Sequence, residues 1–142
     1  MHPRISVLDF STVSLYSWAT AIGQGGDAVS RSMLRNAILV LGLATALIHL
    51  YLNVFYDDFS VLFTLNGLGY LGLLAGIFLP IPFLAGRERL VKLALIAYAA
   101  VTILAWVAMG DRIPLGYIDK AIEVLLILAL FASLRTPAAS QA

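Results

Sequence analysis

The chain contains no cysteine and little charge. Only 12% of its 142 residues are Asp, Glu, Lys or Arg, about half the ~25% of an ordinary soluble domain. Without cysteine, disulfides, iron–sulfur clusters and Cys-ligated zinc are excluded. The sequence also lacks a phosphate-binding glycine loop, an HExxH-type metal motif and a nucleophile–base arrangement. It therefore reads as a non-enzyme without a metal site. A net charge of +1 with no basic patch gives nucleic acid nothing to bind. Asp9 interrupts the N-terminal apolar run, so no cleaved signal peptide is expected, and the first span should act as the insertion signal.

What is present is apolar. Hydrophobic residues make up 61% of the chain and the mean hydropathy is +0.95. The expected class is an all-α integral membrane protein: a four-helix transmembrane bundle, antiparallel and up-down, in a lipid bilayer. The spans are expected at about 37–55, 61–79, 90–109 and 115–134, each near the ~20 residues that cross the hydrocarbon core. Pro80 and Pro82 stop the second span, because the residue before a proline avoids the helical region. Lys92 should snorkel from the first turn of the third. Short connections at 56–60, 80–89 and 110–114 make successive helices antiparallel neighbours. The membrane domain is thus 37–135, followed by a short polar tail, 136–142.

Residues 1–36 read as an N-terminal tail, interfacial or held by a partner. Tyr16 and Trp18 suit a membrane interface. A helix is expected from Asp9, as N-cap, to Ile22, with Gly23, Gly25 and Gly26 breaking it.

Charge sets the orientation. Arg4, Arg31, Arg35, Arg87, Arg89, Lys92 and Arg135, against Asp9, Asp27 and Glu88, give one side +4. Arg112 and Lys120, against Asp57, Asp58, Asp111, Asp119 and Glu123, give the other −3. The positive-inside rule then places both termini in the cytoplasm, and the expected location is a prokaryotic cytoplasmic (inner) membrane, multi-pass.

The most informative stretch is 115–134. Asp119 and Lys120 can be placed at the membrane surface. Glu123 lies eight residues past Leu115, roughly 12 Å deeper on a helix. A charge in hydrocarbon costs on the order of 2.5–3.5 kcal/mol, so Glu123 must face other helices. Counting depth from the charged ends brings His49, Asn66, Thr102 and Glu123 to one level, with Asn53 one turn from His49 on the same face. These five residues form the expected buried polar layer. Hydrogen bonds of this kind set helix register.

Three further readings attach to these residues. His49 could ligate haem or a chlorophyll-type pigment through a ring nitrogen, although His2 is placed too far away in the tail to complete a paired site. Glu123 and His49 could relay protons, but the inner half of the spans offers only Ser133 and the backbone near Pro80 to continue a path. Gly67, Gly69, Gly72 and Gly76 make the second span small on one side, including a GxxxG pattern at Gly72–Gly76, which suits close helix packing. A carotenoid or quinone against Tyr98, Thr102 and Trp106 is a weaker cofactor reading. Taken together, the leading expectation is a non-catalytic accessory subunit of a larger membrane complex, photosynthetic or respiratory, partnered by other integral membrane subunits. The alternative is a small transporter or proton-relay protein.

Overall fold

In the computed structural model the only regular elements among the described residues are helices. The structure describes residues 10–56 and 60–135, and of 10–29 the backbone alone. The helices are α1 (Phe10–Phe55), α2 (Val61–Phe78), α3 (Glu88–Met109) and α4 (Pro114–Arg135), with a 3-10 turn at Pro82–Leu84. The chain divides into two compact units, Met1–Met33 and Leu34–Ala142. The first contributes helical backbone from Phe10, and the site described below lies wholly in the second.

The helix limits follow local chemistry. Ser60 caps α2, its hydroxyl accepting from the Phe63 N–H, while Asn53 Oδ1 accepts from the Ser60 N–H at 2.8 Å. Such a cap contributes on the order of 1 kcal/mol. Leu79 takes an extended conformation before Pro80 and ends α2. Gly86 turns the chain into α3 with φ of 75°, a left-handed conformation that costs glycine little. Pro114 opens α4, where its missing N–H is no loss.

One expectation is corrected. α1 runs unbroken through Gly23, Gly25 and Gly26, so no break separates a tail helix ending at Ile22 from the first span. Glycine costs a helix only about 1 kcal/mol per residue, which disfavours helix without forbidding it. Asp9, the expected cap, lies outside the described residues, as do Asp57 and Asp58. The Lys92 ammonium pairs with the exposed Glu88 carboxylate, one turn back toward the start of α3, at 2.8 Å.

Three helical stretches, Ser30–Phe55, Val61–Phe78 and Glu88–Met109, are long and apolar enough to cross a membrane. α4 has comparable length, 22 residues, but carries Asp119, Lys120, Glu123 and Arg135. The first three of these are buried, whereas Ile118, Val124, Leu125 and Leu128 on the same helix are exposed. The second unit therefore buries charged side chains while exposing large apolar ones.

α3 packs against both α2 and α4. The core is one cluster that includes Ile38, Ala46, Tyr70, Leu74, Leu95, Ala99, Leu126 and Leu130. The glycines of α2 do not share one packing face. A Cβ at Gly67 would lie 2.7 Å from Leu50 of α1, and one at Gly76 would lie 3.1 Å from Val91 of α3. Gly69 faces the Tyr98 ring, but a Cβ at Gly72 would meet nothing within 4 Å. Successive helical residues are 100° apart, which sets Gly69, Gly72 and Gly76 within about 60° of one another and Gly67 on the opposite side.

Candidate functional site

Side chains from all four helices meet in one buried polar cluster. α1 supplies Thr45 and His49, α2 Tyr70, α3 Thr102, and α4 Asp119, Lys120 and Glu123; each is at most 9% exposed. Helical spacing assembles it. Thr45 and His49 are one turn apart, as are Asp119 and Glu123, so each pair shares a face.

Glu123 is completely buried. Its Oε2 accepts from Lys120 Nζ at 2.7 Å. Its Oε1 accepts from the Tyr70 hydroxyl at 2.7 Å and the Thr102 hydroxyl at 2.8 Å. Thr102 also lies 2.8 Å from the Ala99 carbonyl, so its single proton has two acceptors in reach. Asp119 is bound at both oxygens: Oδ1 accepts from Thr45 at 2.7 Å and Oδ2 pairs with Lys120 Nζ at 2.9 Å. Lys120 thus bridges the two carboxylates. Charge-assisted bonds of this length are about twice as strong as neutral ones, and they offset part of the cost of removing three charges from water.

His49 has a defined orientation. Nδ1 lies 2.9 Å from the Thr45 carbonyl, which can only accept, so Nδ1 carries a proton. Nε2 then faces Asp119 Oδ2 at 3.7 Å. The Tyr70 ring lies beside the imidazole, with centroids 5.8 Å apart.

A cavity of about 190 Å³ reaches this cluster. His49, Asp119 and Lys120 are at its polar part, and Leu52, Phe63, Asn66 and Trp106 are among its other walls. Tyr56 and Asp111, both exposed, also border it and are joined by a 2.8 Å hydrogen bond. That bond raises the Tyr56 phenol above its usual 10.0, and burial and the Asp111 charge act in the same direction.

The structure brings together His49, Thr102 and Glu123 of the residues expected in one layer. Asn53 and Asn66 lie elsewhere. Asn53 serves the cap of α2, donating to Thr64 as well as accepting from Ser60. Asn66 is a half-buried cavity wall. Tyr70, one turn further along α2, reaches the cluster instead. The surface placement of Asp119 and Lys120 is also corrected, since they are 2% and 9% exposed. The periodicity could have indicated this, because Asp119 is i−4 and Lys120 i−3 from Glu123.

The arrangement does not suit His49 as an axial ligand. It is 4% exposed with both nitrogens facing protein oxygens. The cavity is a little larger than the ~150 Å³ that holds benzene and far below the size of a macrocycle. His49, Asp119 and Glu123 do present ligand atoms within 4.8 Å of one another. The Lys120 ammonium, however, already provides the cation between the two carboxylates.

No curated protein and no solved structure matches the chain. A family model does match over residues 26–133, which hold all of α2, α3 and the polar cluster, so the chain belongs to DUF7475, a family of unknown function.

Proposed function

We propose that the chain is a membrane protein of four antiparallel spans that binds and releases one proton at His49–Asp119 from a single face of the bilayer. In this reading it is a non-catalytic unit and not a transporter. Membrane insertion is supported by the inverted surface: large apolar side chains are exposed on all four helices, an area soluble proteins rarely present. α4 spans too, because its charges turn inward and its outward side chains are apolar.

Charge counting supports the proton. Asp119 and Glu123 bring two negative charges and Lys120 one positive. An uncompensated charge in this interior costs several kcal/mol. A proton on His49 Nε2 makes the cluster neutral and gives Asp119 a second charged partner beside Lys120. The groups around this imidazole are Thr45 from α1, Tyr70 from α2, Thr102 from α3 and the three ionisable side chains of α4.

The observation that carries the reading is the one-sided cavity. It reaches His49, Asp119 and Lys120 from the end bearing Tyr56 and Asp111. In the other direction along the helices come Ile38, Leu74, Leu95, Leu126 and Leu130, all buried and apolar. A site open to one face exchanges protons without conducting them. Such chemistry suits an accessory subunit of a larger membrane complex.

The test is nitrogen NMR of His49 in bilayers, using a His2→Asn chain so that one imidazole remains. The expected result is a single protonation step at Nε2 with Nδ1 protonated throughout, and no dissipation of a pH gradient across proteoliposomes. An imidazole that stays neutral wherever the fold persists would overturn the proton site. A protein-dependent proton leak would replace it with conduction.

A further inference from the structure

We propose that the cavity binds the head of a neutral, lipid-soluble carbonyl compound with a single ring, of the quinone class, whose oxygen accepts a hydrogen bond from Lys120. The inference rests on the proton-binding reading for the neutrality of the cluster.

Size limits the ligand first. A cavity of ~150 Å³ holds benzene, so about 190 Å³ accommodates one substituted ring. Nucleotides and macrocycles are too large. The walls favour an aromatic or quinonoid ring, because Phe63 and Trp106 line the space and flat rings pack well on aromatic faces.

The polar end determines the functional group. An ammonium has three N–H donors. Two of those on Lys120 serve Glu123 Oε2 and Asp119 Oδ2, at 2.7 and 2.9 Å. The third remains, on a side chain that lines the cavity. The ligand must therefore present an acceptor there. With His49 protonated the cluster is already neutral, so an anion would introduce an uncompensated buried charge. A cation would face the ammonium. A neutral carbonyl satisfies both conditions.

The rim determines solubility. Leu62 and Met109 border the cavity and are 64% and 76% exposed. On a membrane-spanning chain these side chains meet lipid, so the opening lies beside acyl chains. A molecule arriving from the bilayer can insert its head and leave an apolar tail outside.

The experiment uses the full chain in nanodiscs with Trp18→Phe, which leaves Trp106, one of two tryptophans, as the reporter. The probes are a decyl-substituted benzoquinone and decylbenzene, which has the ring and tail without carbonyls. The quinone should quench Trp106 saturably, and decylbenzene should compete at least about tenfold more weakly. Ala105→Phe narrows the cavity at an exposed wall position; it should abolish the saturable phase and leave the unfolding midpoint unchanged. Quenching that is linear with quinone and the same in Ala105→Phe would mean partition into lipid only and would overturn the proposal. So would equal competition by decylbenzene. His49 titration in the same nanodiscs separates the two readings: loss of quinone binding with titration intact rejects the ligand alone.

Discussion

The Tyr70 hydroxyl and Glu123 Oε1 lie 2.7 Å apart, joining α2 to α4 at a carboxylate with no exposed surface. Thr102 adds a third helix to the same oxygen at 2.8 Å, and the Tyr70 and Thr102 hydroxyls are themselves 2.9 Å apart. The three groups form one network, so their contributions should not add. Tyr70→Phe and Thr102→Val should each cost on the order of 1–3 kcal/mol. The double variant should depart from additivity by about 0.5–3 kcal/mol. Unfolding of all four proteins in mild detergent tests this, and strict additivity would mean that the hydroxyls act independently.

The glycines of α2 give a contrast within one helix. Gly72→Ala should be neutral or stabilising by up to about 1 kcal/mol, since its Cβ enters open space and alanine favours helix. Gly67→Ala should destabilise by about 1–3 kcal/mol, because its Cβ would lie 2.7 Å from Leu50 and 3.0 Å from the Ala46 carbonyl. Similar unfolding midpoints for the two variants would show that α1 and α2 do not pack as described.

Tyr56 and Asp111 should make the cavity rim sensitive to alkali. The bond to Asp111 raises the Tyr56 phenol above 10.0. The stabilisation is therefore fully present below pH 10 and is lost as pH rises through the higher folded value. Tyrosinate absorbance should reveal a late-titrating tyrosine that disappears in Tyr56→Phe and titrates earlier in Asp111→Asn. An unchanged titration curve in Asp111→Asn would remove the interaction.

Much of this arrangement was legible in the residues. Apolar runs and the prolines at 80, 82 and 114 mark where α2 ends and α4 begins. His49, Thr102 and Glu123 stand out because a polar side chain inside an apolar run needs a partner. Asp119 and Lys120 were misplaced because depth counting treats charge as a property of single residues. Burial is decided by the pair, and Lys120 neutralises part of what Asp119 and Glu123 cost. Tyr70 escaped notice because a tyrosine resembles an apolar residue until its hydroxyl has somewhere to go. The GxxxG spacing was misleading at Gly72, since spacing identifies a small surface without saying whether a helix covers it.

The charge bias predicts orientation, and the chain's lack of cysteine makes the test direct. Asp58→Cys should react with an impermeant maleimide on intact cells, and Ser140→Cys only once the cells are permeabilised. The cavity would then open to the outer face, because Tyr56 and Asp111 lie at the end of the helices where α1 ends and α2 begins. The reverse labelling would place the proton site on the cytoplasmic side.

Lys120 and Glu123 provide the most discriminating variants. Removing one member of a buried ion pair leaves a charge without its partner, at a cost of about 3–5 kcal/mol. Glu123→Leu and Lys120→Met should therefore each be strongly destabilising. Replacing both with apolar residues of similar size is often neutral, but here Asp119 would still need a cation. His49 lies 3.7 Å from it and Thr45 2.7 Å, so a protonated imidazole can take over. The double variant Lys120→Met/Glu123→Leu should thus be more stable than either single variant. Unfolding of the three variants separates two outcomes. Recovery in the double variant supports a cluster that balances its charges as a unit. A double variant as unstable as the sum of the singles would mean that Lys120 and Glu123 are held apart in the membrane, and the proton site would fall with them.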